Sequence, residues 1–319
     1  MPRRVTNLVL LALTAALVAS GVGGWLLPLE TASPLYPLHR WLGIALVLAL
    51  AWKVGVARRS IARRVPRHDS SVAIGLGSGV ALLASVAVGF GWTAGLLGPS
   101  TFAGYSALNV HVFAGIALAL LACLHLVVRW DSRPALGRLL SRRVVLRLAG
   151  LGAVALAVTP LVDAFEPIRR LTGSKHAGSF TGNAMPITTW MLDDIPGIDP
   201  REWTLDVDGR SISYDALLAL PSHEVDAILD CTGGWWSAQR WRGVRLGDLL
   251  ADRGAATVRV VSVTGHAWSF PYEEARVMLL ATHLGNEPLS SSHGAPVRLV
   301  APGRRGFQWV KWVARVETV

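Results

Sequence analysis

Cys231 stands in the stretch LDCTGGWWSAQRWRGVRLGDLL, at the end of an apolar run and just ahead of Gly233 and Gly234. A thiol at a strand end beside a glycine turn can meet a ligand closely, because glycine lets backbone approach. Thiolate is also a soft donor suited to a redox metal. The competing reading is a buried structural cysteine. Beyond the glycines, the pattern from Val244 reads as an amphipathic helix. The other cysteine, Cys123, lies inside a long apolar run and reads as a small buried hydrophobe.

A second set of candidates lies in the apolar half of the chain. Histidine within an apolar helix is costly and defaults to a functional candidate. His39 and His111 each open such a run, and His125 follows His111 by fourteen residues. At 100° and about 1.5 Å per residue, His111 and His125 project from one helix face, roughly 21 Å apart. Fourteen residues after His39 the chain has Lys53 instead. Histidines bonding headgroups or backbone at the membrane interface are the other reading, which suits His39 beside Arg40 and Trp41.

The elements that must position these groups follow from hydropathy. The chain has 319 residues, 52% of them hydrophobic, and a mean hydropathy of +0.42. Runs at about 6–27, 38–57, 72–97, 107–128 and 146–165 come near the ~20 apolar residues that span a bilayer. The remainder, 166–319, has mixed charge and scattered Gly and Pro, and is long enough for a core of its own. The net charge of +10 sits mainly in the links and does not point to nucleic acid. Arg3 and Arg4 precede the first run, Arg58 to Arg67 fill the second link, and Arg129 to Arg147 the fourth. The links LPLETASPLYPL and LLGPSTFAGYSA carry no Lys or Arg. Basic links face the cytoplasm, so the expectation is a multi-pass protein of a prokaryotic cell membrane. Its N-terminus is inside and its 166–319 domain is extracytoplasmic. LVASG also resembles a signal-peptide cleavage site, which would remove the first run without altering the rest.

SRRVVLR, residues 141–147, resembles the twin-arginine export consensus. That route carries domains already folded around a cofactor. Plain positive-inside charge is the alternative.

Three ordered blocks of the 166–319 region resemble the molybdopterin domain of the sulfite oxidase family. They are GSFTGNAMPITTWMLDDIPGIDPREWTLDVDG, LDCTGGWWSAQRWRGVRLGDLL and LLATHLGNEPLSSSHGAPVRLVAPGRRGFQWVKWVARVE. The resemblance implies an α+β domain in which Cys231 ligates molybdenum. It implies further that Asn183, His293 and Arg298 contact the pterin or its phosphate, and that Gly306 and Lys311 close over it. Phosphate suits Arg, Lys and backbone N–H donors. Arg298 as a surface charge and Lys311 paired to Glu274 are the structural alternatives. Where the family places a tyrosine by the metal, this chain has His266, a proton shuttle or a core histidine. The sequence stops at Val319, where soluble sulfite oxidases continue into a further β domain, so sulfite is left open as substrate. Arg240, Arg242, Arg304 and Arg305 are candidate anion attractors.

The histidine spacing resembles a di-haem membrane cytochrome b with one ligand missing. It implies a haem b held by His39 and His111, and a second at His125 lacking an evident partner. The expected whole is a membrane bundle of five helices followed by a molybdenum oxidoreductase domain. That enzyme would transfer an oxygen atom on a small S- or N-oxide or a sulfur oxyanion. Its electrons would pass to a quinone or another membrane electron-transfer partner. A non-catalytic electron-transfer or assembly partner with a degenerate molybdopterin fold is the alternative.

Overall fold

The computed structural model describes residues 3–64, 71–99, 101–102, 105–128, 141–164, 169–188, 194–251 and 254–319. Arg67 and most of the fourth basic link lie outside the described residues. Two compact units make up the chain: residues 1–173 without 102–104, and residues 174–319 together with those three.

The first unit is helical: α1 (Arg3–Leu26), the one-turn α2 (Leu29–Ala32), α3 (Leu35–Arg64), α4 (Ser71–Thr93), α5 (Ala107–Val128) and α6 (Arg142–Asp163). Among the described residues, five segments are long and apolar enough to cross a membrane. Their ends differ from the hydropathy reading. α3 runs on through the arginines to Arg64, since Arg and Ala are good helix formers. α4 stops at Thr93, where Gly95 takes φ +77° and the Leu96 N–H returns to Gly91 O at 2.9 Å. This is a left-handed glycine termination. α6 begins at Arg142, so the paired arginines lie in its first turn, which holds no acidic residue.

Small residues set the helix packing. Ala45 and Ala49 of α3 meet Leu151 and Ala155 of α6 in one buried cluster, the close approach that small residues allow between apolar helices. Trp41 Nε1 donates to Gly152 O at 3.2 Å. Elsewhere the helices present Val80, Leu83, Leu120 and Leu161 outward. Cys123 is exposed on α5, which corrects its reading as a buried hydrophobe. It lies on the outward side of a helix that is apolar all round.

The second unit is built on two sheets. After the short pair β1 (Thr101–Phe102) and β2 (Tyr105–Ser106), the strands are β3 (Lys175–His176), β4 (Thr204–Val207), β5 (Arg210–Ser213), β6 (His223–Asp230), β7 (Trp235–Arg245), β8 (Thr257–Ser262), β9 (Ala267–Pro271), β10 (Leu279–Leu284), β11 (Glu287–Pro288), β12 (Arg298–Val300) and β13 (Val313–Thr318). One sheet has the order β11-β10-β7-β3, with β12 also on β10 and β6 on β7; the other runs β5-β4-β13-β8-β9. Helices are short, α7 (Tyr214–Leu218) and α8 (Tyr272–Ala275). Along β7 the two-residue period buries Trp235, Ser237, Gln239 and Trp241, as a strand packed on one face requires.

Here the structure overturns one expectation. Val244 lies in β7, followed only by a 3-10 turn at Leu246–Asp248, not in an amphipathic helix. β7 is flanked by β6 on one edge and β10 on the other, and Gly243 lies against Leu280 O where a Cβ would sit 2.0 Å away. Pairing with distant strands outweighs the local pattern.

Candidate functional site

Cys231 follows the last residue of β6, in the turn that leads to β7. Its N–H donates to Trp235 O at 2.9 Å, and Gly234 N–H returns to Cys231 O at 3.0 Å. Gly234 holds φ +85°, a conformation that favours glycine. The turn aims the Gly233 N–H at Cys231 Sγ, 3.3 Å away, and the residue is 8% exposed.

A second segment closes over it. A Cβ on Gly306 would lie 2.9 Å from Cys231 Cα and 3.2 Å from Asp230 O; only glycine lets the two backbones touch. The contact is locked by a buried ion pair, Arg305 Nη1 to Asp230 Oδ1, and by Ser174 Oγ donating to Asp230 Oδ1 at 2.6 Å. Asp230 and Arg305 also form an isolated parallel bridge.

Arg298, on β12, is 2% exposed, which excludes the surface-charge reading. Nη1 donates to His293 O at 2.9 Å, and the guanidinium lies 5.0 Å from the Trp241 ring centroid, a cation–π contact. Burial lowers its pKa to about 10, with Cys231 acting in the opposite sense, so it stays cationic at neutral pH. Its Nε is buried with no hydrogen-bond partner in the structure. Lys311 Nζ donates to Ser292 O at 2.9 Å and Thr188 O at 3.3 Å. The alternative pairing of Lys311 with Glu274 does not occur, because Glu274 takes Arg304.

His293 is buried, with Nε2 donating to Met185 O at 3.1 Å and Nδ1 accepting from Ser290 Oγ at 2.7 Å. A carbonyl can only accept, so the proton is on Nε2. Burial first, then the Arg298 cation, hold its pKa down to about 4, from an ordinary 6.5. The unfolded chain therefore takes up this proton near pH 6.5 and the folded chain only near 4. The neutral imidazole's contribution to stability is intact above about 6.5 and is lost as pH falls toward 4. A fall in the unfolding temperature of the detergent-solubilised chain over that window, flattened in His293→Gln, is the expected result.

Cys231, Gly306, His293, Arg298 and Lys311 line one cavity of about 40 Å³ with Met185 and Trp235 among its walls. A soft sulfur donor, two cations and an unpartnered buried N–H fit the metal end of an anionic molybdenum cofactor. Among the described residues there is no group of three or more His, Cys, Asp or Glu that could hold a metal ion.

Other candidates lie outside this cavity lining. Asn183 uses its amide on the β11 region, Nδ2 donating to Pro288 O at 2.9 Å and Oδ1 accepting from Ser290 N–H at 3.0 Å. His266 donates from Nε2 to Phe307 O at 2.8 Å and so holds the turn that begins at Gly306. Arg240 pairs with Asp226 at the surface. Sequence reasoning missed Asp230, Arg305 as its partner, and Ser174; the charge beside the cysteine was visible, its partner 75 residues on was not.

In the first unit, the ring centroids of His39 and His111 are 6.0 Å apart and the planes 85° inclined. His111 Nδ1 donates to Ser85 O at 2.8 Å. Ser20 Oγ donates to Leu17 O at 3.1 Å and stands 3.0 Å from His39 Nδ1, so it accepts there. Both Nδ1 atoms thus carry the proton, leaving the Nε2 lone pairs, the form that ligates metal. A metal shared by two imidazoles needs two bonds of about 2 Å, which with the ring radii puts centroids roughly 6 Å apart. His125 lies by Gly75, while Lys53 Nζ donates to Asn7 Oδ1 at 2.9 Å.

Comparison with known proteins agrees with the second unit. Residues 192–319 match the family described as oxidoreductase molybdopterin binding domain. The chain is 33% identical to the mitochondrial sulfite oxidase of Mus musculus over 43% of this chain and 31% of that one. It is 28% identical to the Drosophila melanogaster mitochondrial sulfite oxidase, over 38% and 28%. With the protein-methionine-sulfoxide reductase catalytic subunit MsrP of Xanthomonas axonopodis pv. citri it shares 32% identity, over 37% and 45%. The chain thus spans less than half the length of each of these relatives. Residues 192–319 are similar to oxidoreductase molybdopterin binding domains, in keeping with the resemblance noted in the sequence.

Proposed function

We propose that the chain is a membrane-anchored molybdenum enzyme that reduces a small, neutral S- or N-oxide outside the cytoplasm, with electrons delivered through its helical unit. The observation that carries this reading is Cys231, its sulfur met by a backbone N–H in a cavity with buried Arg298 and with Lys311. When bound, the molybdenum cofactor supplies two-electron oxygen-atom transfer: the oxide takes two electrons and two protons and leaves as the reduced compound and water. Cys231 holds the metal, Arg298 and Lys311 neutralise the cofactor's anionic groups, and Met185, Leu229 and Trp235 keep the wall apolar.

Neutral oxide is favoured over a sulfur oxyanion by the fate of three of the four arginines considered as anion attractors, Arg242 being the fourth. Arg240, Arg304 and Arg305 each pair with a carboxylate, Asp226, Glu274 and Asp230 respectively, which leaves them poor anion attractors. The degenerate, non-catalytic alternative has no need of a thiolate with a donor aimed at it.

His39 and His111 are read as the ligands of one haem b, passing electrons singly from a quinone or another membrane electron-transfer partner. His125 is not assigned a second haem, because Lys53 and Asn7 bond to each other where a facing ligand was sought. Metal analysis of the protein purified from membranes tests the whole reading, alongside a dithionite-reduced minus oxidised visible spectrum. About one molybdenum per chain with a b-type band is the expected result; a folded protein purified without molybdenum overturns it.

The helical spans are read as crossing the bilayer, with the second unit carried out by the twin-arginine export machinery. Arg142 and Arg143 support this by their position: cations in the first turn of α6 oppose the helix dipole, so helix stability does not account for them. Arg142→Lys with Arg143→Lys conserves the charge and is expected to strand the domain inside, protected from protease added to intact spheroplasts. Normal protease access in that double variant would reduce the motif to positive-inside charge.

A further inference from the structure

We propose that Ser20 is a positioning residue that sets the orientation and donor strength of His39 toward a haem iron, an inference that rests on the haem reading above. Serines and threonines in apolar helices ordinarily turn back onto a carbonyl three or four residues earlier. Ser78 does so to Ile74 O at 2.8 Å, and Thr159 to Ala155 O at 2.8 Å. Ser20 makes that same bond to Leu17 O, yet also meets His39 Nδ1 at 3.0 Å and is 5% exposed. With its proton on Leu17 O, the hydroxyl presents a lone pair to an Nδ1-protonated imidazole. The residue is thereby oriented as an acceptor.

The next residue completes a seat. A Cβ on Gly21 would stand 3.3 Å from His39 Cε1 and 3.6 Å from Nδ1. The opposite imidazole has a matching seat one helical turn long: Ser85 O accepts from His111 Nδ1, and a Cβ on Gly89 would lie 2.8 Å from both Cε1 and Nδ1. Each ring is thus held at its Nδ1–Cε1 edge by an oxygen acceptor and a bare glycine on the adjoining helix. Two independently built seats on α1 and α4 serve rings 6.0 Å apart.

The seats differ in emphasis. His111 Nδ1 has the Ser85 carbonyl at 2.8 Å as its near acceptor, with Ser85 Oγ farther off at 3.3 Å, whereas the Ser20 hydroxyl stands 3.0 Å from His39 Nδ1, alongside the Leu17 carbonyl. An acceptor on Nδ1–H raises imidazole basicity, and a more basic ligand favours ferric over ferrous iron. Ser20 is therefore a side chain through which the chain tunes the donor strength of His39.

The test uses the full chain purified from membranes as wild type, Ser20→Ala and Ser20→Thr. Bound haem b is quantified on titration with haemin, and the midpoint potential is read by spectroelectrochemical titration. Ser20→Ala is expected to weaken haem retention by about ten-fold or more, the usual effect of losing an outer-shell partner, and to raise the midpoint potential. Ser20→Thr retains a hydroxyl and is expected to restore both. Unchanged occupancy and potential in Ser20→Ala overturn this inference while the haem reading stands. A wild-type protein that takes up no haem overturns both.

Discussion

Replacement of Cys231 by serine is expected to leave the second unit folded and to remove its molybdenum-dependent turnover. The two side chains differ by one atom, and the site is 8% exposed, so the packing change is small. The chemistry changes more. Serine is protonated at neutral pH and is a hard oxygen donor, while a molybdenum centre wants soft thiolate. The Gly233 N–H at 3.3 Å would then point at a neutral hydroxyl. Loss of an outer-shell partner lowers metal affinity or activity by roughly 10–100-fold; loss of the ligand itself is expected to exceed that. Reduction of a dialkyl sulfoxide by a reduced dye, together with metal content, checks the result. Full turnover in Cys231→Ser would mean that the thiolate is not a ligand and would remove the main support for the catalytic reading.

That residue was legible in the sequence because its signals are local: an apolar strand, a lone thiol and two glycines within a few positions. The helical unit was legible for the same reason, since a long apolar run carries its own boundary signals. Its errors fall at the ends, where Arg58 extends a helix and Gly95 stops one by a left-handed turn that hydropathy does not register. Contacts between distant residues were not legible. Val244 was misread because β10, more than thirty residues on, makes β7 a central strand. Asn183 matched a family position and His266 replaced the family's tyrosine; that both hold neighbouring loops, through Ser290 and Phe307, was not visible in the sequence. Ser20 gave no signal at all: a single hydroxyl in an apolar run acquires meaning only when α3 brings His39 against it.

Breaking the Asp230–Arg305 pair on one side is expected to have the largest effect on stability. Both side chains are 4% exposed, so neither charge can be recovered by water. Arg305→Met would leave the buried Asp230 carboxylate without its ion-pair partner, with Ser174 Oγ still donating at 2.6 Å. Removing one partner of a buried pair costs about 3–5 kcal/mol, whereas replacing both by apolar groups is often neutral. For a unit of this size that corresponds to a fall of roughly 6–20 °C in unfolding temperature. Asp230→Leu combined with Arg305→Met is therefore expected to regain most of what either single change loses. The two measurements separate stability from positioning. The pair fastens the Gly306 turn onto the Cys231 backbone, where there is no room for a Cβ, so the double variant should regain its unfolding temperature yet still retain molybdenum poorly. A double variant that recovers both would mean the salt bridge only compensates for its own burial, and that the Gly306 contact alone holds the turn over the thiolate.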